Sequence, residues 1–149
     1  MGRFVSTKTY DHNEGLTCAF RIWKSKTNRR FLHGFSLHVK LVFECAGLDD
    51  AETALDLNTL EEIEKFLHEK FDHTTCIAED DPELETFKLL ESKGAIQLRI
   101  LPGVGCEKFA EIIWHHVNGC LQSTELSPRI NIRTVEVREH QANSQLFLF

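Results

Sequence analysis

The stretch that most constrains this chain runs from His33 to Glu44, HGFSLHVKLVFE. Its odd positions His33, Phe35, Leu37, Val39, Leu41 and Phe43 fall on one face. Ser36, His38, Lys40 and Glu44 fall on the other, with Val42 the exception. A period of two over such a run is the pattern of a β-strand with one face against a core. The apolar face opens on an imidazole, His33, beside Gly34, where backbone can bend or be approached closely. Two readings of His33 follow from the stretch itself. It is a metal or substrate ligand at a strand end, or a satisfied histidine at the edge of a core.

The rest of the chain supplies partners for this strand. Phe4 to Tyr10 and Leu16 to Trp23 read as strands around the turn-rich Asp11-His12-Asn13-Glu14-Gly15. A basic segment with Arg21, Lys24, Lys26, Arg29 and Arg30 joins two strands, either as a solvated loop or facing an anionic small ligand. A turn at Gly47 to Asp50 precedes a short predicted strand, Thr53 to Leu57. Asn58 or Thr59 is expected to cap a helix bearing Leu60, Ile63, Phe66 and Leu67 and ending near Phe71-Asp72-His73. Asp81-Pro82 opens a second helix, Glu83 to Ser92, stopped by Gly94. A strand from Ala95 to Leu101 then leads through Pro102-Gly103-Val104-Gly105 into a third helix, Cys106 to Leu121. Ser127-Pro128 introduces a strand from Arg129 to about Glu139, and the tail to Phe149 offers another. This order predicts an α+β fold with helices on one face of a mainly antiparallel sheet.

A length of 149 residues fits one domain, residues 1–149, with a substantial core. No run of about 18 apolar residues exists, so no membrane span is expected. The first residues lack the apolar core of a signal peptide. Met1-Gly2 with Ser6 weakly matches a myristoylation pattern, but Phe4 and Val5 continue into a strand-like run, so the modification is not expected. Five cysteines without paired spacing point to a reduced, cytoplasmic protein and to no zinc knuckle. A net charge of −6 argues against a general nucleic-acid binder.

Several polar residues could carry chemistry. Asp72-His73 follows a helix end; an Asp beside a His can orient the ring for acid/base work, or the His can simply complement the helix dipole. Glu139 shares the parity of Val135 and Val137, so an inward apolar face ends in a carboxylate. A half-buried carboxylate needs a partner, and the two N–H donors on the amidine-like edge of a pterin or guanine match its two oxygens. The alternative is a strand-end glutamate that reaches solvent. Glu107 sits in the first turn of the third helix after Gly103 and Gly105, either as a helix-start acid or beside N–H groups open to a ligand. His115 and His116 point in different directions, and no HExxH, P-loop or GxSxG pattern is present.

In this order, these residues resemble the 6-pyruvoyl-tetrahydropterin synthase / 6-carboxytetrahydropterin synthase family. Ala19-Phe20-Arg21-Ile22-Trp23 is similar to its A-H-R-L, and Leu32-His33-Gly34-Phe35-Ser36-Leu37 to its L-H-G-H-S/N-F/Y. Leu55-Asp56-Leu57-Asn58-Thr59-Leu60 resembles V-x-D-F-x-x-L, and Phe71-Asp72-His73 resembles L-D-H. Gly105-Cys106-Glu107 resembles the T-[ST/A]-E helix start, and Val135-Glu136-Val137-Arg138-Glu139 resembles V-x-V-x-E-T. The resemblance implies the tunnelling fold, with subunits closing into barrels as trimers or hexamers and a pocket between subunits. It implies zinc on three histidines, a cysteine shortly before H-G-H, an Asp-His pair, and a terminal glutamate holding the pterin.

Carried over by position, the resemblance keeps only part of that site. His33 retains one metal ligand, while Phe20 and Phe35 take the places of the other two. Arg29 stands where the cysteine is expected, four residues before His33. No cofactor is therefore expected, and zinc only on ligands other than the family's. His38 lies on the opposite strand face from His33, and Cys18 is displaced from Phe20 by about 7 Å along the strand. Asp72, His73, Glu139, Glu107 and Cys106 remain as candidates for acid/base work and substrate binding, with the Arg29/Arg30 loop facing a phosphate or carboxylate. The implied function is a lyase-type step on dihydroneopterin triphosphate or a related pterin, in folate, pterin or 7-deazaguanine (queuosine) metabolism. A non-catalytic oligomeric pterin- or purine-binding or scaffolding protein is the alternative from another class.

Overall fold

The alternation along the key stretch is realised from residue 38 onward. In the computed structural model, which describes residues 2–123 and 129–149, Val39, Leu41, Phe43 and Cys45 are buried and the even positions between them are half-buried. They form β4 (His38–Cys45), the second strand of an antiparallel sheet. Its neighbours are β1 (Phe4–Tyr10) on one side and β7 (Ile130–His140) on the other, and β8 (Asn143–Leu148) completes the order β1-β4-β7-β8. The predicted introduction of β7 by Ser127-Pro128 lies outside the described residues.

A second sheet was not expected as a separate unit. β2 (Thr17–Phe20), β3 (His33–Ser36), β5 (Thr74–Ala78) and β6 (Leu98–Leu101) follow the order β3-β2-β5-β6. β2 is antiparallel to β3 and parallel to β5, which is parallel to β6. The predicted continuous strand from His33 to Glu44 is thus two strands in two sheets. The break is Leu37, whose N–H donates to the Leu16 carbonyl at 2.8 Å. Strand β5 was missed. All five of its residues are buried, so it carries none of the alternation that marks a half-exposed strand.

The three helices fill their expected places. α1 (Leu57–Phe71) is capped by Asp56, whose side chain accepts from the Thr59 N–H, rather than by Asn58 or Thr59. The predicted strand from Thr53 to Leu57 is absent. Asp49 organises that segment as a turn, accepting from the N–H groups of Ala51 and Thr53 and from the Thr53 hydroxyl. α2 (Leu84–Ser92) packs on β5 and β6. α3 (Cys106–Gln122) lies on β7 and β8 and contacts α1. Its inward residues Phe109, Ala110, Ile113, Trp114, Val117 and Leu121 recur at helical spacing and are buried in one cluster with Val39, Leu41, Phe43 and Val135. Each large apolar side chain removed from water there contributes about 1.5–3 kcal/mol.

Candidate functional site

The inward face of β7 ends at Glu139, as its parity with Val135 and Val137 requires. A register shift between Val137 and His140 in the β7–β8 ladder places a bulge at this point. Bulges turn a strand and re-aim its side chains. Glu139 borders two adjoining cavities of about 290 and 320 Å³, sizes at the lower end for small-molecule sites. The first is lined by Arg29, Cys106, Val137, His140, Asn143 and Gln145 as well as Glu139. The second adds Phe20, Ile22, His33 and Phe35.

The Glu139 carboxylate is 16% exposed and is not left unpaired. Arg29 Nη2 donates to its Oε1 at 2.8 Å. The Cys106 thiol donates to the same oxygen at 3.5 Å. Among the described residues Oε2 has no hydrogen-bond partner. Burial, followed by the charge of Glu139, pushes the Cys106 thiol well above its ordinary range. Cys106 is therefore a neutral donor to Glu139 and not a thiolate nucleophile. On the cavity rim, the Ala142 N–H donates to His140 Nδ1 at 3.2 Å, which puts the proton of a neutral His140 on Nε2.

Phe20 on β2 and Phe35 on β3, at the positions where the resemblance implies metal ligands, form a hydrophobic wall. The rings of Phe20 and Phe35 pack 4.9 Å apart, and Phe20 also meets Phe109 edge-on at 5.0 Å. His33 is exposed, with Nδ1 2.8 Å from the Phe31 carbonyl, to which it donates. The basic segment is largely engaged within the chain. Arg21 forms a two-bond pair with Asp81, Lys24 pairs with Asp80, and Arg30 stacks on Phe31.

Asp72 and His73 form a built pair. His73 adopts a left-handed backbone, φ 56°, which turns its ring back so that Nδ1 donates to Asp72 Oδ1. His68 Nδ1 donates to the other carboxylate oxygen at 2.9 Å. The His68 hydrogen bond, with a smaller contribution from His73, outweighs desolvation and holds the Asp72 carboxyl below its ordinary range. The His73 side chain is 77% exposed, so Nε2 offers its lone pair to solvent. This pair stands apart from the cavity within one chain. The His73 N–H bonds to the Thr17 carbonyl, whereas His33 pairs with Phe20 at the other end of β2, about 10 Å away along the strand. Glu107 is exposed in the first turn of α3 and does not line either cavity, although Cys106 beside it lines the first.

Residues 9–147 match the family model for 6-pyruvoyl tetrahydropterin synthase. The chain belongs to that family. Solved structures with the same fold include an uncharacterized protein from Wolinella succinogenes, with a TM-score of 0.79 at 17% identity and 99% of each chain covered. The Plasmodium falciparum 6-pyruvoyl tetrahydropterin synthase gives a TM-score of 0.69 at 17% identity over 97% of this chain and 96% of that one. The Caenorhabditis elegans 6-pyruvoyl tetrahydropterin synthase gives 0.61 at 14% identity over 99% and 95%. Comparison with curated proteins yields no match.

Within the 6-pyruvoyl tetrahydropterin synthase family, the zinc that the resemblance implies does not fit the corresponding positions of this chain. A catalytic zinc takes three protein ligands, and the packed rings of Phe20 and Phe35 have no lone pair to give. Arg29, Cys106, His33 and Glu139, each singled out in the sequence, do meet around the cavities. His140, Asn143 and Gln145 were missed. They lie on the β7–β8 hairpin, and only the pairing of those strands brings them to Glu139.

Proposed function

We propose that the Glu139 cavity takes a pterin or guanine-type heterocycle and that Glu139 anchors its amidine-like edge. One observation carries this reading. Glu139 already accepts one N–H of a planar guanidinium, that of Arg29, on Oε1, and its free Oε2 leaves room for the second N–H of a pterin's two-donor edge. Arg29 is half exposed and can swing away as the heterocycle takes both carboxylate oxygens. Its freed charge then faces a phosphate or carboxylate on the ligand. Phe20 and Phe35 supply an apolar wall for the ring, and His140 Nε2 a further donor.

For catalysis, the reading places the Asp72–His73 pair of a second copy against this cavity, in a homo-oligomer such as a trimer or hexamer. His73 Nε2 takes a proton from the substrate, and Asp72 holds Nδ1–H and stabilises the imidazolium. The step is of the lyase type, on dihydroneopterin triphosphate or a related pterin, without zinc held in the family manner. Calorimetry with a pterin tests the anchor: Glu139→Ala is expected to abolish binding, and unchanged affinity removes that role. Turnover of dihydroneopterin triphosphate tests the base, with His73→Asn as the variant because Asn tolerates a left-handed backbone.

The packed Phe20–Phe35 wall favours one other reading, a non-catalytic pterin- or purine-binding subunit. Glu139-dependent binding without any turnover by the wild-type protein assigns that role instead.

A further inference from the structure

Three side chains with no part in the Glu139 cavity meet where β1 ends and where β3 passes into β4. They are Asp11, His12 and His38. One ligating atom from each lies within 4.8 Å of those of the other two. His12 carries the informative detail. Its Nδ1 lies 2.6 Å from the Ser36 carbonyl oxygen. A carbonyl only accepts, so Nδ1 holds the proton and Nε2 has a bare lone pair. That Nε2 is buried and has no hydrogen-bond partner among the described residues. A buried polar atom without a partner is uncommon and calls for one. An Nδ1–H held by a backbone carbonyl, with Nε2 open, is the tautomer in which histidine ligates metals.

The surroundings fasten this arrangement. The Ser36 hydroxyl donates to the His12 carbonyl, so His12 is tied to Ser36 through both its ring and its backbone. His38 Nδ1 lies 3.2 Å from Asp11 Oδ1, which also accepts the His12 N–H at 2.7 Å. Arg138, opposite His38 across the β4–β7 ladder, is engaged by Glu136.

We propose that Asp11, His12 and His38 form a divalent-cation site of the zinc class, with His12 Nε2, a ring nitrogen of His38 and a carboxylate oxygen of Asp11 as ligands. Two imidazoles and one carboxylate are a donor set suited to such ions. Bonds of about 2.0–2.2 Å in a tetrahedral array put ligand atoms about 3.4 Å apart. The present separations, all within 4.8 Å, are closed by small side-chain rotations, and Asp11, at 57% exposed, leaves room for a water at the fourth position. The ion would bolt the end of β1 to the β3–β4 corner, and folding and binding would then be linked.

The test uses the full chain, stripped with a chelator and titrated with Zn²⁺ by calorimetry and with Co²⁺ by visible absorption. One equivalent per chain is expected, with a thermal midpoint that rises with zinc. Asp11→Asn and His38→Gln should each weaken binding at least about tenfold. Their metal-free thermal midpoints check that they fold, and His33→Gln should bind as the wild type does. The cobalt spectrum of the wild type reads the ligand set without any substitution; a thiolate charge-transfer band would put the ion on cysteines and overturn the proposal. So would the absence of saturable uptake, unchanged affinity in either variant, or loss of binding in His33→Gln.

Discussion

Asp81 has a fully buried side chain, and its charge is tolerated because Arg21 grips both carboxylate oxygens, at 2.6 and 2.8 Å. Desolvation alone would raise its pKa, but the Arg21 hydrogen bonds and the Glu83 N–H prevail and lower it. Removing one partner of a buried pair leaves the other uncompensated. Arg21→Met is therefore expected to destabilise the fold by about 3–5 kcal/mol in chemical denaturation. The pH dependence follows from the direction of the shift. A depressed folded pKa gives stability that is fully present above the ordinary carboxylate value of 3.8 and is lost as pH falls through the lower folded value. In Arg21→Met only the Glu83 N–H is left to oppose desolvation, so the acid unfolding midpoint should move to higher pH; an unmoved midpoint would refute this account. At this scale the sequence was partly legible. The carboxylate closing the apolar parity of β7 was visible, and Arg29 and Cys106 were candidates beside it. That Arg29 bonds Glu139, whereas Arg21 serves a buried carboxylate 60 positions away, depends on tertiary contacts no local pattern encodes.

At the level of elements, α1 is the clearest test of how ends are set. Asp56, not Asn58 or Thr59, satisfies the Thr59 N–H at 2.8 Å. Asp56→Ala should cost about 1 kcal/mol, while Asn58→Ala should leave the denaturation midpoint nearly unchanged. The helices were legible because apolar residues recur at their period and because Pro82 and Gly94 mark the ends of α2. The break at Leu37 was not legible. Alternation passes through it in phase, Phe35, Leu37 and Val39 all facing inward, so one period serves two strands in different sheets. Strand β5 was hidden for the opposite reason. Its five residues, TTCIA, follow a helix after only two residues and are buried throughout, so they show neither an alternating face nor a turn signal before them.

At the scale of the whole molecule, the two edges of the antiparallel sheet are exposed and apolar. Phe4 and Val5 on β1, and Leu146 and Leu148 on β8, each lie about half or more in solvent. Unpaired edges of this kind are templates for a further strand, and joining β1 of one copy to β8 of the next would extend the sheet around a ring. The proposed shared site requires an assembly of this kind, because the Asp72–His73 pair stands apart from the Glu139 cavity of its own chain. The two halves of the site can then be separated genetically. Glu139→Ala removes the anchor and His73→Asn removes the base, and each homogeneous assembly should be inactive on dihydroneopterin triphosphate. Mixing the two variants by co-refolding brings an intact cavity from one chain against an intact His73 from the other. Partial recovery of turnover is expected if the site is shared between copies. If each site is built within one chain, every site in the mixture carries one defect, and no activity returns.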